Sequence, residues 1–187
     1  QLDTDREIDE TMRAYLSGLA AAMSDNDPEF AAALTASGEK LVRDPKAAAA
    51  ALSGGSRTTG EAFRMAADID KCIWESQLKV FFPLIEQFRL SLIERHLSEI
   101  EGMMGKIKQH LTTRSSQQNR RDGNSVEEAR DLELGMLHDL QYNNIIKGFS
   151  SDEIRLLAFF KDRRNDLAHL HPIDYKKLKK IAEEENL

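Results

Sequence analysis

One segment near the C-terminus carries residue types that could do acid–base chemistry on a phosphodiester. Arg164, Asn165 and His169 lie in the stretch RNDLAH, with four residues between the arginine and the histidine. A guanidinium can neutralise a phosphoryl group through two parallel hydrogen bonds, and an imidazole can move a proton near neutral pH. These groups suffice to cleave RNA without a metal, because the substrate's own 2′-hydroxyl can be the nucleophile.

The stretch resembles the signature of the HEPN superfamily: an arginine, a polar residue (commonly Asn, Asp or His), a short spacer and a histidine. Arg164, Asn165 and His169 fill all three places, and the motif ends the penultimate predicted helix of a chain that reads as helical throughout. The resemblance covers about residues 61–187. It implies an all-α antiparallel helical bundle. It also implies a metal-independent endoribonuclease whose products are a 2′,3′-cyclic phosphate and a 5′-hydroxyl.

The same resemblance implies a role for each residue. His169 would activate the 2′-hydroxyl or protonate the 5′-oxygen leaving group, Arg164 would stabilise charge on the phosphorane, and Asn165 would orient the histidine or the phosphate. Arg163 is a candidate RNA contact, or else an exposed ion-pairing arginine. No cofactor is expected, and the context implied is a toxin or antiviral defence. Some HEPN domains do no chemistry, so a module for nucleotide binding, dimerisation or partner binding is the alternative.

The spacing of the motif favours pairing of two copies. Positions five apart on a regular helix differ by about 140° and about 7.5 Å of rise, so Arg164 and His169 do not share one face. Asn165 and His169, four apart, do share one. Two such helices paired about a two-fold axis would bring two Arg/His sets into one cleft, as HEPN ribonucleases are understood to do. We therefore expect a homodimer, although a long arginine could also swing toward its own histidine.

Charge is unevenly distributed along the chain. The 187 residues suit one domain with an appendage and carry a net charge of −6, which argues against a general nucleic-acid coat protein. Residues 155–180, however, hold eight Lys or Arg residues against three Asp residues, so a basic region surrounds the motif. An RNA-facing surface and the ordinary solvated face of a helix account for these charges equally well.

The compartment is predicted from what the sequence lacks. No apolar run approaches the roughly 18 residues of a membrane helix, and the acidic first twenty residues do not read as a signal peptide. The single cysteine, Cys72, excludes an internal disulfide and fits a reducing cytoplasm, where we expect it to be a half-buried packing thiol. Because the chain begins with Gln1, we expect an excerpt of a longer protein or a processed product, with further domains or a regulatory partner.

The organisation follows from helix signals. Asp27-Pro28 and Asp44-Pro45 each place an N-cap before a proline suited to the first helical position. Ser150 and Glu153 form a capping box at the start of the helix that carries the motif. No window alternates like a strand, so the fold class is all-α. We predict an N-terminal helical extension at 1–52, a linker at 53–60 and a HEPN-like domain at 61–187. The predicted helices of that domain lie at about residues 61–82, 84–111, 125–147, 150–171 and 174–185, and Pro83 either ends the first of them or kinks it.

A polar segment and a pair of histidines lie close in sequence to the predicted helices of the site. Residues 112–124 have almost no apolar content, so we predict a polar loop whose Arg114, Arg120 and Arg121 contact RNA phosphates, or else a surface connection without function. The pair His169 and His171 could suggest a metal. On a helix, however, two residues at i and i+2 point to different faces, and no Cys or acidic ligand stands at ligand spacing, so no metal is expected.

Overall fold

The computed structural model describes residues 10–53, 68–117 and 126–184. Within these ranges the secondary structure is helical and no strand occurs, which confirms the predicted all-α class. The more specific HEPN-like bundle stays a prediction. None of the helices in these ranges combines the length and the apolar character that a membrane crossing requires. In chain order the helices are α1 (Glu10–Met23), α2 (Pro28–Ala36), α3 (Glu39–Arg43), α4 (Pro45–Ser53), α5 (Ile69–Arg95), α6 (Leu97–Gln117), a 3₁₀ turn (Ala129–Asp131), α7 (Leu134–Tyr142), α8 (Ser151–Ala168) and α9 (Tyr175–Glu183).

The two Asp-Pro signals begin helices as predicted. The Asp27 carboxylate accepts two backbone N–H groups of the first turn of α2, each at 3.1 Å, and Pro28 is the first helical residue. The Asp44 carboxylate accepts the N–H of Ala47 at 3.0 Å at the start of α4. Both caps satisfy N–H groups that a helix leaves without an internal partner. The short helix α3 between them was not predicted.

The described residues form two compact units. Unit one comprises those up to Leu84 and those from Asp166 onward, and unit two comprises those from Ile85 to Asn165. The predicted linker at 53–60 falls outside the described residues beyond position 53, so the predicted domain boundary is still a prediction.

In unit one the N-terminal helices share a core with α9. Tyr15 of α1 is fully buried and lies edge-on to Phe81 of α5, with ring centroids 5.4 Å apart. Burial raises the pKa of Tyr15 to about 12. On α9, the Tyr175 hydroxyl donates to the Glu39 carboxylate at 2.6 Å, and the Arg43 guanidinium lies 5.2 Å from the Tyr175 ring centroid. Helix α1 is therefore packed against α5, and α9 is held to α3.

In unit two, aromatic stacking and one arginine hold the helices together. Phe88 of α5 and Phe160 of α8 are buried and stacked, with centroids 4.3 Å apart. The Arg89 guanidinium donates to the backbone carbonyls of Arg130 and Leu132, at 2.8 and 3.1 Å. These bonds satisfy carbonyls around the 3₁₀ turn that no helix ladder uses.

Helix α5 differs from its predicted course. It spans Ile69–Arg95, and the predicted start at Glu61 lies outside the described residues. Pro83 does not end it, because the helix continues to Arg95. Proline removes one internal hydrogen bond, but Phe81 before it and Ile85 after it are fully buried, and their burial offsets that loss. The break comes instead at His96, between α5 and α6.

The polar segment after Leu111 is partly helical, contrary to the prediction of a loop from residue 112. Helix α6 continues to Gln117, so Arg114 lies on a helix. The hydroxyls of Thr112 and Thr113 donate to the carbonyls four residues earlier, at 2.8 and 2.9 Å. The side chains thus find partners on the helix itself, which a count of polar residues does not reveal.

The predicted helix from Ser125 through Lys147 is also wrong, because α7 is the α-helical part of residues 126–147. Asn144, just after α7, adopts a left-handed conformation with φ of +56°, which asparagine tolerates better than most residues. Beyond it, the Glu99 carboxylate of α6 accepts the N–H groups of Lys147 and Gly148 at 2.9 to 3.1 Å. A distant side chain therefore replaces the helix ladder there.

A buried amide anchors the segment that follows α8. The Gln77 side chain of α5 donates to the carbonyl of Ile173 at 2.9 Å and accepts its N–H at 2.7 Å. Gln77 and Ile173 are both buried, and Gln77 also donates to the Tyr15 hydroxyl at 3.3 Å. One side chain thus satisfies both backbone groups of a residue that has left the helix ladder.

We expect Gln77→Ala to lower the free energy of unfolding by about 2–4 kcal/mol, because it leaves two buried backbone groups without partners and opens a cavity. Chemical denaturation of the variant and the parent chain measures this difference. Gln77→Glu is the matched control. It keeps the volume and the bond from the Ile173 N–H, but when ionised it loses the donor and buries a negative charge against the Ile173 carbonyl, so it should also lower the free energy of unfolding. A Gln77→Ala variant as stable as the parent would contradict the anchoring role.

Candidate functional site

The helix that carries the motif begins with the predicted capping box. The Ser150 N–H donates to the Glu153 carboxylate at 2.8 Å, and the Glu153 N–H donates to the Ser150 hydroxyl at 3.2 Å. This reciprocal pair satisfies two N–H groups at the start of α8. At the other end, Arg164 and Asn165 lie within the last two turns of α8, and His169 is the first residue after it.

A Schellman motif closes α8. The His171 N–H donates to the Asp166 carbonyl at 2.9 Å, and the Leu170 N–H donates to the Leu167 carbonyl at 3.3 Å. These are the 6→1 and 5→2 bonds of that motif, in which the residue between the two histidines adopts a left-handed conformation. The Leu167 carbonyl also accepts the indole N–H of Trp74 at 2.7 Å. Trp74 therefore anchors the backbone before the turn at Leu167, and Gln77 anchors it after the turn at Ile173.

Leu170 is an unusual residue for this place. Its φ is +61°, where glycine is the usual occupant, and its side chain is 63% exposed. The left-handed conformation costs a residue with a Cβ about 1–2 kcal/mol. Because the side chain is mostly exposed, the burial of its apolar surface offsets little of this cost. A strained and exposed apolar residue therefore lies between His169 and His171, both of which are exposed.

Arg164 is partly exposed and has one acidic partner. Its guanidinium lies 3.3 Å from the Glu133 carboxylate, and the two side chains are 36% and 53% exposed. An exposed pair of this kind contributes about 0–1 kcal/mol. The guanidinium can therefore exchange Glu133 for a phosphate at small cost.

The other two motif residues are open to solvent. Asn165 and His169 are both exposed, and no described residue hydrogen-bonds the His169 ring. Arg164 and Asn165 belong to unit two and His169 to unit one, because the division falls between Asn165 and Asp166. Solvent can reach all three predicted side chains.

Arg163 has a structural contact. It is half-buried, and its guanidinium carbon lies 5.5 Å from the ring centroid of Phe159, one turn earlier on α8. A cation over an aromatic face contributes about 0.5–1 kcal/mol at exposed sites. Part of the Arg163 side chain therefore serves packing, and its predicted RNA contact stays a prediction.

Arg114 is held by an acidic partner on another helix. It forms an ion pair with Asp139 of α7, which also accepts a hydrogen bond from His110 of α6 at 2.8 Å. Burial pushes the pKa of Asp139 upward, but the bonds from His110 and Arg114 outweigh it and leave the pKa below its ordinary value. Arg114 thus stabilises the α6–α7 contact. Arg120 and Arg121 lie outside the described residues.

The lysines of α9 lie beside acidic residues of the same segment. The Lys177 ammonium is 2.6 Å from the Asp174 carboxylate, and the Lys179 ammonium is 3.6 Å from the Glu183 carboxylate. Their helix buries Leu178 on its opposite side. Local pairs of this kind are typical of a solvated helix face, and they reduce the positive charge that the basic region presents.

Two histidines that lack partners in sequence have them in the structure. The His96 imidazole lies 3.1 Å from Glu153 and edge-on to the Phe149 ring, while His110 pairs with Asp139. Their partners are 57 and 29 residues away, which no sequence spacing predicts. No group of three or more potential metal-ligating side chains occurs among residues 10–53, 68–117 and 126–184.

Comparisons with known proteins give no relative: no family model, no curated protein and no solved structure matches the chain. The resemblance to the HEPN superfamily therefore stays a prediction from the residues themselves.

The strain at Leu170 gives a stability prediction. We expect Leu170→Gly to raise the free energy of unfolding by about 0.5–1 kcal/mol, because the strain it relieves exceeds the extra entropy of an unfolded glycine. Ala168→Gly, within the last turn of the same helix, is the matched control and should lower it by about 0.5–1 kcal/mol. Denaturant melts of the three chains measure both changes. Equal destabilisation by the two glycines would contradict the strained turn.

Proposed function

We propose that the chain is a metal-independent endoribonuclease of HEPN type that acts through Arg164, Asn165 and His169. The observation that carries the proposal is that each of the three side chains is accessible to solvent, and that the backbone near His169 is braced by Trp74 and Gln77. A reacting group must be both reachable and held in place, since misplacement costs much of the rate. The toxin or antiviral context comes from the HEPN resemblance.

The reaction assigned to the motif is an internal transesterification. The 2′-oxygen attacks phosphorus as its proton is removed, the bond from phosphorus to the 5′-oxygen breaks, and that oxygen gains a proton. His169 takes part in the proton transfers, and Arg164 stabilises the charge that develops on the phosphorane oxygens. Asn165 orients the histidine or the phosphate. The RNA phosphate displaces Glu133 from Arg164, since a guanidinium binds a phosphate through two hydrogen bonds.

Cleavage of RNA in the presence of EDTA tests this proposal. We expect Arg164→Ala and His169→Ala each to lower the rate by about 10²–10⁴-fold while helical content is unchanged. Arg130→Ala is the matched control, because Arg130 is an exposed arginine outside the basic region 155–180. It should keep the parent rate. Full activity in either motif variant would show that the site is assigned wrongly.

The proposed enzyme is a homodimer. Since the spacing of Arg164 and His169 does not place them on one face of a regular helix, two motifs related by a two-fold axis supply a complete set more readily than one. We expect light scattering at micromolar concentrations to give twice the mass of the chain. A fully active monomer would contradict this expectation.

A non-catalytic HEPN-fold module that binds nucleotide or a partner is the second candidate. Two observations favour it: Arg164 is already paired with Glu133, and no described residue orients the His169 ring. A general acid or base is ordinarily held in a defined orientation by a neighbour. RNA that binds the chain but stays intact at every pH tested would favour this module over the enzyme.

A further inference from the structure

The turn after α8 presents two imidazoles. His169 and His171 are both exposed, and Leu170 between them takes the left-handed conformation that turns the chain out of the helix. His171 is therefore not on the helix, and the rule that separates side chains at i and i+2 on a helix does not apply to it. The motif resemblance assigns His171 no role.

The proposed reaction needs two proton transfers at different oxygens. One group must take the proton of the 2′-hydroxyl, and another must give a proton to the 5′-oxygen as it leaves. The motif holds a single imidazole, and arginine stays protonated throughout, so it is a poor proton donor. In the proposed dimer this second group is either His169 of the other copy or a titratable residue close to His169 in the same copy, and the exposed turn places His171 there.

We infer that His171 is this second group: it protonates the 5′-oxygen while His169 takes the proton of the 2′-hydroxyl. The inference rests on the proposed ribonuclease function and adds a catalytic residue to it. In the step, the bond from the 2′-oxygen to phosphorus forms and the bond from phosphorus to the 5′-oxygen breaks. One proton passes to His169 and another leaves His171, so the charge on the pair of imidazoles is unchanged in sum.

The backbone of the turn makes this division of labour feasible. Two residues along a chain lie at most about 7 Å apart between their Cα atoms, so both imidazoles can reach the two oxygens of one phosphodiester. The backbone that carries the two histidines is anchored on both sides. The Leu167 carbonyl is bound by Trp74 at 2.7 Å, and Ile173 is bound by Gln77 at 2.9 and 2.7 Å.

Between the two anchored residues, the part of the turn that carries the histidines is exposed to solvent. Leu167 and Ile173 are buried, with 0% and 4% of their surfaces exposed, whereas each residue from Ala168 to Pro172 is exposed. The two histidines therefore project from a short stretch pinned at both ends. A backbone held at both ends reduces part of the entropy that must be lost when the imidazoles are aligned with the substrate.

A substrate with a good leaving group distinguishes a residue that acts as the general acid from a residue with another role. In RNA the 5′-oxygen must be protonated to leave, whereas in a uridine 3′-(4-nitrophenyl) phosphate the nitrophenolate leaves readily without a proton. We expect His171→Ala to lower the rate on RNA by about 10²–10⁴-fold and to leave the rate on the nitrophenyl ester within about tenfold of the parent. His169→Ala should lose activity on both substrates, because both need the 2′-hydroxyl proton removed.

Variants of the turn serve as controls. His171→Asn keeps a polar side chain but cannot donate an imidazolium proton, so it should behave as His171→Ala. Leu170→Gly keeps both histidines and the left-handed conformation. Adding His171→Ala to this variant should therefore again lower the rate on RNA more than the rate on the nitrophenyl ester. Circular dichroism of each variant shows whether α8 and the fold persist.

Each outcome of these measurements either supports or overturns the assignment of His171 as the general acid. If the parent cleaves RNA and His171→Ala cleaves it equally well, the inference is overturned and the proposed function stands. If His171→Ala loses equally on both substrates, His171 is not the acid and the inference is likewise overturned. If the parent cleaves neither substrate under any condition, the proposed function fails and the inference fails with it. Selective loss on RNA supports both.

Discussion

The hydrogen bonds from two side chains of α5 to the turn after α8 are the interaction on which the candidate site depends. Gln77 holds both backbone groups of Ile173 in a buried environment, and Trp74 holds the carbonyl of Leu167. A buried backbone group without a partner costs about 1–3 kcal/mol, so the turn cannot move away from α5 without losing several such bonds. The exposed histidines keep their place because the backbone on either side of them is bound.

The arginines differ in how readily they can bind a phosphate. Arg164 pairs with Glu133 where both side chains are well exposed, and such a pair is screened by water. Asp139, the partner of Arg114, is only 17% exposed and also binds His110. Removing Arg114 from that cluster leaves a partly buried carboxylate with fewer partners, which costs more than opening a surface pair. Arg164 is therefore the better phosphate ligand of the two.

Local signals in the sequence predicted the helix starts well. Asp27-Pro28, Asp44-Pro45 and the Ser150/Glu153 box all begin helices, because an N-cap acts on N–H groups two or three residues away. Prediction failed where a distant side chain decides the backbone. The segment after α7 leaves the helix because Glu99, far away in sequence, binds its N–H groups.

In the candidate site, too, some features follow from nearby sequence and others from tertiary packing. The residue types of the motif, its place at a helix end and the cap that begins α8 follow from nearby sequence. The ion pair of Arg164 with Glu133 and the anchoring of the turn by Gln77 come from tertiary packing, over separations of 31 and 96 residues. The left-handed Leu170 could not be predicted either, since a Schellman motif ordinarily has glycine there.

The chemical nature of the new RNA ends tests the central claim most directly. RNA incubated with the chain in EDTA can be analysed by mass spectrometry of its fragments, with the His169→Ala variant beside it. Attack by the 2′-hydroxyl predicts fragments that end in a 2′,3′-cyclic phosphate and begin with a 5′-hydroxyl, and their absence with the variant. RNA that stays intact with the parent chain, or fragments that carry a 3′-hydroxyl and a 5′-phosphate, would contradict the account.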